Sequence, residues 1–373
     1  MTSETTNPQT PANSPDSDGG SAAPSPLGDY AQAAKRARNG VPLSVLDLVG
    51  VSEDGRHALS ASMEAAAAAE RAGYFRYWFA EHHNTEGVAS SATSIIIAMA
   101  ARATSSIRVG SGGIMLPNHA PLQVAEDFGT VAQIEPGRID LGLGRAPGTD
   151  QMTSQLINHF SPEPKLFAQA IYDMQGWFSD RGTGHSTPVR SVASAGTDVP
   201  IWVLGSTVNG ASIAGQLGLP FSVASHFQPE GFEEAIKTYR ETFSTESPTA
   251  RIDSPHVMVA VNVLAAETSE EAWRQFTTTQ RMFLGIRRGR QTKLAKPLPD
   301  ISDVATPMEV AMLDSVLRVR AVGTPDEVVA SLDEIAERTG ADEIITTTYA
   351  YDPAVRIRSM ELLAERWNSS AAS

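Results

Sequence analysis

Two adjacent histidines, His82 and His83, follow directly on a short apolar run that ends at Phe79. Histidine is the side chain best suited to proton transfer near neutral pH. Neighbouring side chains at a strand end point to opposite sides, so we expect one ring to face a pocket and the other to brace the loop by a hydrogen bond. Two structural histidines without chemistry are the alternative. A metal site would need further ligands such as His119 and His226, and we expect no metal here.

Glycine-rich runs follow the next two apolar segments. The run Gly-Ser-Gly-Gly that ends in Gly112 and Gly113 would let a ligand approach the backbone closely, with a kink at a barrel corner as the alternative. The following run places Arg145 between glycine-rich segments at a strand end. An arginine matches phosphate oxygens with its planar fork of donors, so we predict an anion site, with an ion pair at the rim as the alternative.

A third cluster, Gly205, Ser206 and Thr207, lies between an apolar run and a helix predicted to begin at Asn209. Free backbone N–H groups at a helix start bind phosphate, and the two hydroxyl groups could add hydrogen bonds. Simple capping of the helix by Ser or Thr is the alternative. Because Arg145 ends the preceding strand, we favour phosphate binding for this cluster.

The composition limits the classes of function. The chain has 373 residues with 41% hydrophobic residues, which suits one large α/β barrel or two ordinary domains. A net charge of −14 argues against a nucleic-acid or anionic-membrane partner. The absence of cysteine excludes disulfides, thiolate catalysis and cysteine-ligated metals. With no secretory signal and no apolar run near the roughly 20 residues that span a bilayer, the sequence is compatible with a cytoplasmic protein.

The N-terminal residues differ in composition from the rest. Residues 1–28 are rich in Ser, Thr, Pro, Asp and Gly, so they cannot bury enough apolar surface to order themselves. We expect a disordered tail there and a possible short helix over residues 29–38. The predicted organisation is therefore a low-complexity tail at residues 1–40 and a single domain at residues 41–373.

From Pro42 onward, strand-like and helix-like patterns alternate. The strand candidates are apolar and often β-branched with little alternation, which is typical of strands buried on both faces. Eight strands, each followed by a helix, predict a (β/α)8 TIM barrel. An open doubly wound sheet is the alternative, less favoured because no strand precedes a G-x-G-x-x-G turn. The strands are predicted at residues 43–48, 75–79, 107–110, 139–143, 201–204, 221–224, 257–263 and 343–347.

Two connections are longer than a plain βα unit needs, at about residues 144–200 and 278–322. Long irregular segments inside a compact domain are usually lids or binding loops. Residues 287–290, with the sequence Arg-Arg-Gly-Arg, could form a mobile basic lid over an anionic ligand, or a solvated charged loop.

The order and spacing of these clusters resemble bacterial luciferase and its relatives, the luciferase-like flavin monooxygenases. The resemblance rests on residues 79–83, on residues 108–117 and on the pair Gly144-Arg145, and it covers roughly residues 42–368. It is closest to the single-chain members described as alkanal monooxygenase-like. It implies a TIM barrel that binds FMN at its C-terminal face. It also implies that reduced FMN, supplied by a separate reductase, reacts with O2 to oxidise an aldehyde or another small organic substrate.

The resemblance also implies roles for individual residues. His82 corresponds to the family's active-site histidine and would handle protons, which leaves His83 to brace the loop. Gly112 and Gly113 correspond to a non-prolyl cis peptide beneath the flavin ring. The residues expected to contact or approach the flavin or its phosphate are Arg145, Gly205, Ser206, Thr207, Ser225 and His226.

The sequence departs from the luciferase pattern in two places. Gly144 stands where the luciferase catalytic subunit carries a reactive cysteine, and the segment after the seventh strand reads differently, so we do not expect light emission. An F420-dependent dehydrogenase of the same superfamily and a non-catalytic flavin-binding protein remain alternative functions. The expected partners are the substrate, O2, a flavin reductase and further copies of the same chain.

Overall fold

Eight parallel strands close into a barrel. The computed structural model describes residues 27–55, 58–158, 163–290 and 292–369, so most of the expected disordered tail lies outside the described residues. Strand order around the barrel is β1-β2-β3-β5-β6-β7-β8-β10, and β10 pairs with both β8 and β1 to complete the circle. The predicted TIM barrel is therefore confirmed. The strands are β1 Leu43–Asp47, β2 Arg76–Phe79, β3 Arg108–Ser111, β4 Ile114–Met115, β5 Ile139–Gly144, β6 Ile201–Gly205, β7 Phe221–Val223, β8 Val257–Ala265, β9 Arg320–Gly323 and β10 Glu343–Thr347.

Helices surround the barrel and bury their apolar faces against it. Most begin and end within two residues of the positions predicted from the sequence, which are residues 57–72, 92–103, 122–134, 165–178, 209–217, 232–243, 269–278, 325–338 and 354–366. The helix that begins at Pro325 shows why: Thr324 caps it, and Glu327 returns a hydrogen bond to the capping residue. The helices are α1 Tyr30–Arg36, α2 Ala58–Ala72, α3 Thr93–Ala103, α4 Pro121–Ile134, α5 Gln151–Ile157, α6 Pro164–Phe178, α7 Val208–Gln216, α8 Phe232–Thr242, α9 Ser269–Arg287, α10 Pro307–Val316, α11 Pro325–Thr339 and α12 Pro353–Ser369.

The inside of the barrel has a polar layer at its N-terminal end. The guanidinium of Arg76 is fully buried and contacts the carboxylates of Asp140 and Glu343 at 2.8 and 3.0 Å. A further nitrogen of Arg76 donates to the carbonyl of Leu27 at 2.8 Å, so the segment before α1 closes this end. Above it lies an apolar layer that includes Leu46, Trp78, Trp202, Met258 and Ile345. The N-terminal end is therefore filled, which leaves the C-terminal end for chemistry.

The expectation of an irregular loop over residues 278–322 is wrong. α9 continues to Arg287, and α10 and β9 follow before α11 begins. β9 pairs with the C-terminal part of β8, at residues 262–265. The sequence did not predict the second half of α9 because its buried face carries threonines. One of them, Thr278, donates to the carbonyl of Ala295 at 3.0 Å. A hydroxyl that is satisfied in this way can be buried, but it leaves no apolar periodicity in the sequence.

A second apolar core lies around these elements. It joins side chains of α9 and α10 to Leu294 and to Tyr349 after β10. Leu294 also donates its backbone N–H to the carbonyl of Val51, in the loop after β1, at 2.7 Å. The segment is thus packed over the ends of β1 and β10. No helix among the described residues is long and apolar enough to cross a membrane.

Candidate active site

His82 lies after β2, at the C-terminal end of the barrel. Its Nδ1 is 3.0 Å from the carbonyl oxygen of Gly148. Because a carbonyl oxygen only accepts, Nδ1 carries the hydrogen, and a neutral ring then has its lone pair on Nε2. Burial lowers the pKa of His82, and the Gly148 hydrogen bond and the negative charge of Glu81 oppose this only in part. His82 is therefore neutral at pH 7 and can accept a proton or a hydrogen bond at Nε2.

His83 points to the other side of the strand end. Its Nε2 is 2.9 Å from Oε1 of Glu81, and its carbonyl accepts a hydrogen bond from the Thr149 hydroxyl at 3.0 Å. The first contact lies within the loop after β2, and the second joins this loop to the loop after β5. The structure thus gives His83 a bracing environment, and its part in catalysis stays a prediction.

Glu81 is a site residue that the sequence reading missed. Its carboxylate is fully buried and accepts hydrogen bonds from His83, Asn118, His119 and the backbone N–H of Met115. Burial favours the neutral acid, but the hydrogen bonds from His119, Asn118 and His83 outweigh it and lower the pKa of Glu81. The signal available in the sequence was a glutamate at a strand end beside two histidines. Its partners 34 to 38 residues further on carried no such signal.

The glycine run after β3 packs tightly against β5. The peptide bond between Gly112 and Gly113 is cis. A Cβ atom at Gly113 would lie 2.6 Å from the carbonyl oxygen of Gly142, so no larger residue fits there. The hydroxyl of Ser111, the last residue of β3, donates to the carbonyl of Gly142 on β5 at 2.9 Å and so joins the two strands. The turn therefore presents bare backbone at the end of the barrel, next to the loop that carries His82.

Arg145 and the cluster of Gly205, Ser206 and Thr207 follow neighbouring strands. β5 and β6 pair in register up to Gly144 opposite Leu204, so both groups leave the barrel at the same level. Arg145 is half-buried, and burial lowers the pKa of its guanidinium. A cation that is partly removed from water is stabilised when it binds an anion.

The two hydroxyl groups at the start of α7 are both engaged within the protein. Thr207 is the N-cap and accepts a hydrogen bond from the backbone N–H of Gly210 at 3.2 Å. Ser206 donates to the side-chain oxygen of Gln228 at 2.8 Å. The capping alternative is thus realised at Thr207. The backbone N–H groups of Val208 and Asn209, the first two of the helix, have no partner within the helix itself.

Ser225 and His226 follow β7. The Ser225 hydroxyl is fully buried and donates to the carbonyl of Ala260 at 2.6 Å, so it is engaged within the barrel. His226 is 92% buried, and Asn262 on β8 donates to its carbonyl at 2.7 Å. Burial, and secondarily the charge that His82 can carry, lower the pKa of His226 to about 4. Two neutral imidazoles therefore face the same end of the barrel.

The basic run at residues 287–290 does not form a separate loop over the site. Arg287 is the last residue of α9, and Arg288 pairs with Glu309 of α10 at 2.8 Å. The backbone N–H of Arg290 returns to the carbonyl of Gly285 at 2.8 Å. These contacts favour a solvated helix end over a lid. Among the described residues there is also no group of three His, Asp or Glu side chains that could hold a metal ion.

Comparison with known proteins agrees with this geometry. The sequence model of the family described as luciferase-like monooxygenase matches residues 42–343. The chain belongs to this family. It is 44% identical to the protein YvbT of Bacillus subtilis over 88% of its own length and 97% of the relative. It is 41% identical to a luciferase-like monooxygenase of Escherichia coli K12 over 86% and 96% of the two chains. The solved structure of apo-MsnO8 superposes with a TM-score of 0.76 and 33% identity over 87% of this chain and 98% of that one.

Two solved structures with lower sequence identity share the fold. The oxygenating constituent of 3,6-diketocamphane monooxygenase from Pseudomonas putida, solved with FMN, has a TM-score of 0.63 at 18% identity over 88% of this chain and 98% of that one. An F420-dependent secondary alcohol dehydrogenase has a TM-score of 0.62 at 13% identity over 88% and 99%. At these identities the likeness concerns the fold. Membership of the family supports an oxidoreductase of the monooxygenase class.

Proposed function

We propose that this luciferase-like protein is a monooxygenase that uses reduced FMN and O2 to oxidise an aldehyde or another small organic substrate. The observation that carries the proposal is the arrangement at the C-terminal end of the barrel. A neutral His82 with a free lone pair, a bare glycine turn and an anion site built on Arg145 follow consecutive barrel strands. A proton acceptor, a flat surface for a ring and a site for its phosphate are what such a cofactor needs.

The donor set fits the phosphate of FMN. Arg145 supplies a charged fork, and the backbone N–H groups at the start of α7 add neutral donors. The Ser206 hydroxyl lies at the same helix start and is half-buried. Gly205 has room beside it, since a Cβ there would meet its nearest neighbour at 3.5 Å.

The glycine turn fits the ring of the cofactor. Gly112 and Gly113 follow β3 without side chains, and His82 lies on the adjacent strand end. The turn would support the isoalloxazine ring of the cofactor, with His82 beside it. Nε2 of His82 then accepts a proton from the substrate or cofactor and returns it, while Nδ1 stays bound to Gly148. Ser225 acts indirectly, by fixing the backbone after β7 beside the ring.

Reduced FMN, when bound, supplies the two electrons that reduce one oxygen atom of O2 to water while the other enters the substrate. We propose that the reduced cofactor comes from a separate flavin reductase. Two relatives support such a partner. One, the trigonelline monooxygenase of Acinetobacter baylyi, is called an oxygenase component and is 25% identical over 55% of this chain. The diketocamphane enzyme is called an oxygenating constituent.

The substrate class is tested with a panel. An N-acetyl-S-alkylcysteine monooxygenase of B. subtilis is 27% identical over 87% of this chain, so thioethers join linear aldehydes and cyclic ketones as candidates. Oxygen consumption is followed with reduced FMN and each compound in turn. Uptake that depends on one compound, with formation of its oxygenated product, supports the proposal. Uptake that no compound changes, with flavin bound in stoichiometric amount, supports a flavin-binding protein without turnover.

The second candidate function is an F420-dependent dehydrogenase. The fold of the F420-dependent alcohol dehydrogenase favours it, as does the same anion site, since F420 also carries phosphate. This enzyme would transfer a hydride without oxygen. Titration of the protein with FMN and with F420, followed by anaerobic incubation with alcohols, separates the two. Tight binding of F420 and its anaerobic reduction would replace the FMN proposal. We also propose that the protein is a homo-oligomer in the cytoplasm, which sedimentation and cell fractionation test.

A further inference from the structure

Glu81 is the most highly coordinated side chain of the candidate site. Its Oε1 accepts from Nε2 of His83 and from the side-chain amide of Asn118, both at 2.9 Å. Its Oε2 accepts from Nε2 of His119 and from the backbone N–H of Met115, again both at 2.9 Å. Each carboxylate oxygen thus receives two donors, and the group is fully buried. A fully buried carboxylate with four donors is ionised and fixed in place.

These donors come from separate segments of the chain. Met115, Asn118 and His119 belong to the segment that leaves the Gly112–Gly113 turn. The amide of Asn118 also donates to the carbonyl of Pro147 at 2.9 Å, in the loop that follows Arg145. Glu81 therefore contacts the segment after the Gly112–Gly113 turn directly, and it contacts the loop that follows Arg145 through Asn118.

Further hydrogen bonds join the loop that carries Glu81 to the loop after β5, which follows Arg145. His82 contacts the carbonyl of Gly148, and the Thr149 hydroxyl donates to the carbonyl of His83. The amide of Asn84 donates to the carboxylate of Asp150 at 2.9 Å. The loops after β2, β3 and β5 thus form one hydrogen-bonded unit, and Glu81 lies at its buried centre.

We propose that Glu81 is the positioning residue that holds His82, the Gly112–Gly113 turn and the Arg145 loop in one working arrangement. It does not touch the reacting atoms itself. The inference rests on the proposed function for the meaning of that arrangement, but the linkage it describes can be measured without any cofactor.

Only a carboxylate satisfies this environment. A glutamine at position 81 would present an NH2 group either to Met115 N–H and His119, or to Asn118 and His83. The imidazoles can change tautomer and accept. The backbone N–H of Met115 cannot, and the Asn118 amide is held by its second bond to Pro147. One donor therefore faces another in either orientation, which opens the unit.

Glu81 also acts on His82 through its charge. The negative charge favours the imidazolium form and so opposes the fall in the pKa of His82 that burial causes. Removal of the charge lowers that pKa further, so the acid limb of the turnover profile moves to lower pH. The other titratable and charged groups on elements that pack around His82 are His83, His119, Arg145, Asp150 and His226.

The test compares Glu81→Gln with Glu86→Gln, an exposed glutamate in the same loop. The first measurement is the titration of His82 by NMR in the folded protein without cofactor. We expect a lower pKa for His82 in Glu81→Gln and the wild-type value in Glu86→Gln. Identical titrations in the two variants, both folded by circular dichroism, would overturn the proposal whatever cofactor the protein uses.

The second measurement is FMN affinity and turnover across pH. We expect the Kd for FMN to rise and kcat to fall by about tenfold to a hundredfold each in Glu81→Gln, with an acid limb at lower pH. Glu86→Gln should stay within about twofold of wild type. Wild-type protein that neither binds FMN nor turns over would refute the proposed function, and the His82 titration would still decide the role of Glu81.

If Glu81→Gln does not fold, the Asn118→Ala variant tests the role of Glu81 instead. It removes the donor shared by Glu81 and Pro147 and introduces no new donor. The inference requires weaker FMN binding together with a changed His82 titration in this folded variant. Binding and titration both at wild-type values would contradict it.

Discussion

Nδ1 of His82 lies 3.0 Å from the carbonyl oxygen of Gly148. This contact joins the loop that carries the proposed proton acceptor to the loop that carries the proposed phosphate ligand Arg145. It also fixes the tautomer, so that Nε2 is the atom left for chemistry. The two features that the sequence presents 63 residues apart therefore work as one unit.

Replacement of Arg145 should weaken FMN binding. A charge-assisted contact to phosphate is worth about 1.5–3 kcal/mol, so Arg145→Ala should raise the Kd roughly 10- to 150-fold. Riboflavin, which has no phosphate, should bind both proteins alike. Fluorescence titration measures both ligands, and Arg181→Ala, at an exposed arginine outside the site, is the control. An unchanged Kd for FMN would mean that the phosphate binds elsewhere.

Substitutions of the two adjacent histidines should have different effects, one on catalysis and the other on stability. His82→Ala should lower turnover by roughly 10²–10⁴-fold and leave FMN affinity nearly intact, because it removes a positioned proton acceptor. His83→Ala should mainly lower the melting temperature, since Glu81 loses one of its four donors at a cost of about 1–2 kcal/mol. Oxygen uptake, FMN titration and thermal melting are measured on both. A reversed result would show that the roles of the two rings are exchanged.

His226 should make the protein acid-sensitive. Its pKa is about 4 in the folded protein and about 6.5 in the unfolded chain, so only the unfolded chain takes up this proton between those values. The folded state is therefore favoured fully above pH 6.5 and loses about 1.4 kcal/mol per pH unit from this residue as pH falls toward 4. His226→Gln should flatten the dependence. Urea unfolding at pH 7, 6 and 5 measures it.

The matched control for that series is His185→Gln, because His185 is exposed and lies between α6 and β6, outside the barrel strands. This variant should keep most of the wild-type loss of stability between pH 7 and 5. If His226→Gln loses stability on acidification as steeply as wild type does, His226 is not buried as a neutral ring.

Gly113 should tolerate no side chain. A Cβ atom there would lie 2.6 and 2.9 Å from backbone atoms of Gly142, which cannot move without breaking the β5 register. Gly113→Ala should lower the free energy of unfolding by about 1–3 kcal/mol. Gly210→Ala, where the nearest neighbour is 3.6 Å away, should leave stability unchanged or raise it. Equal melting temperatures for the two variants would refute the close packing of this turn.

The sequence was sufficient for the barrel because its strands are apolar on both faces. Buried parallel strands such as β5 and β8 are mostly apolar in sequence, with only Asp140 and Asn262 as polar residues. The N-terminal cap of α11 is also evident in the sequence, from Thr324 and Glu327. α9 was predicted to end about nine residues early, because its buried face uses hydrogen-bonded threonines in place of apolar side chains. β9 was missed because its short pattern is half-exposed and carries an arginine.

The sequence predicted only those residues of the candidate site that combine an unusual residue type with a position at a strand end. His82, Gly112, Gly113 and Arg145 stand at strand ends, and their chemistry is unusual for plain turns. Glu81 could not be found in this way, since its role depends on donors from another loop. Likewise, the sequence could not show that the Ser225 hydroxyl turns inward to Ala260.

The most direct test of the account is isotopic labelling of the product. The protein is supplied with reduced FMN, ¹⁸O2 and the panel compound that stimulates oxygen uptake, with His82→Ala as the matched control. We expect one ¹⁸O atom in the product of the wild-type protein and little product from the variant. Product that carries no ¹⁸O, or product formed equally well without oxygen, would contradict a reduced-FMN monooxygenase at this site.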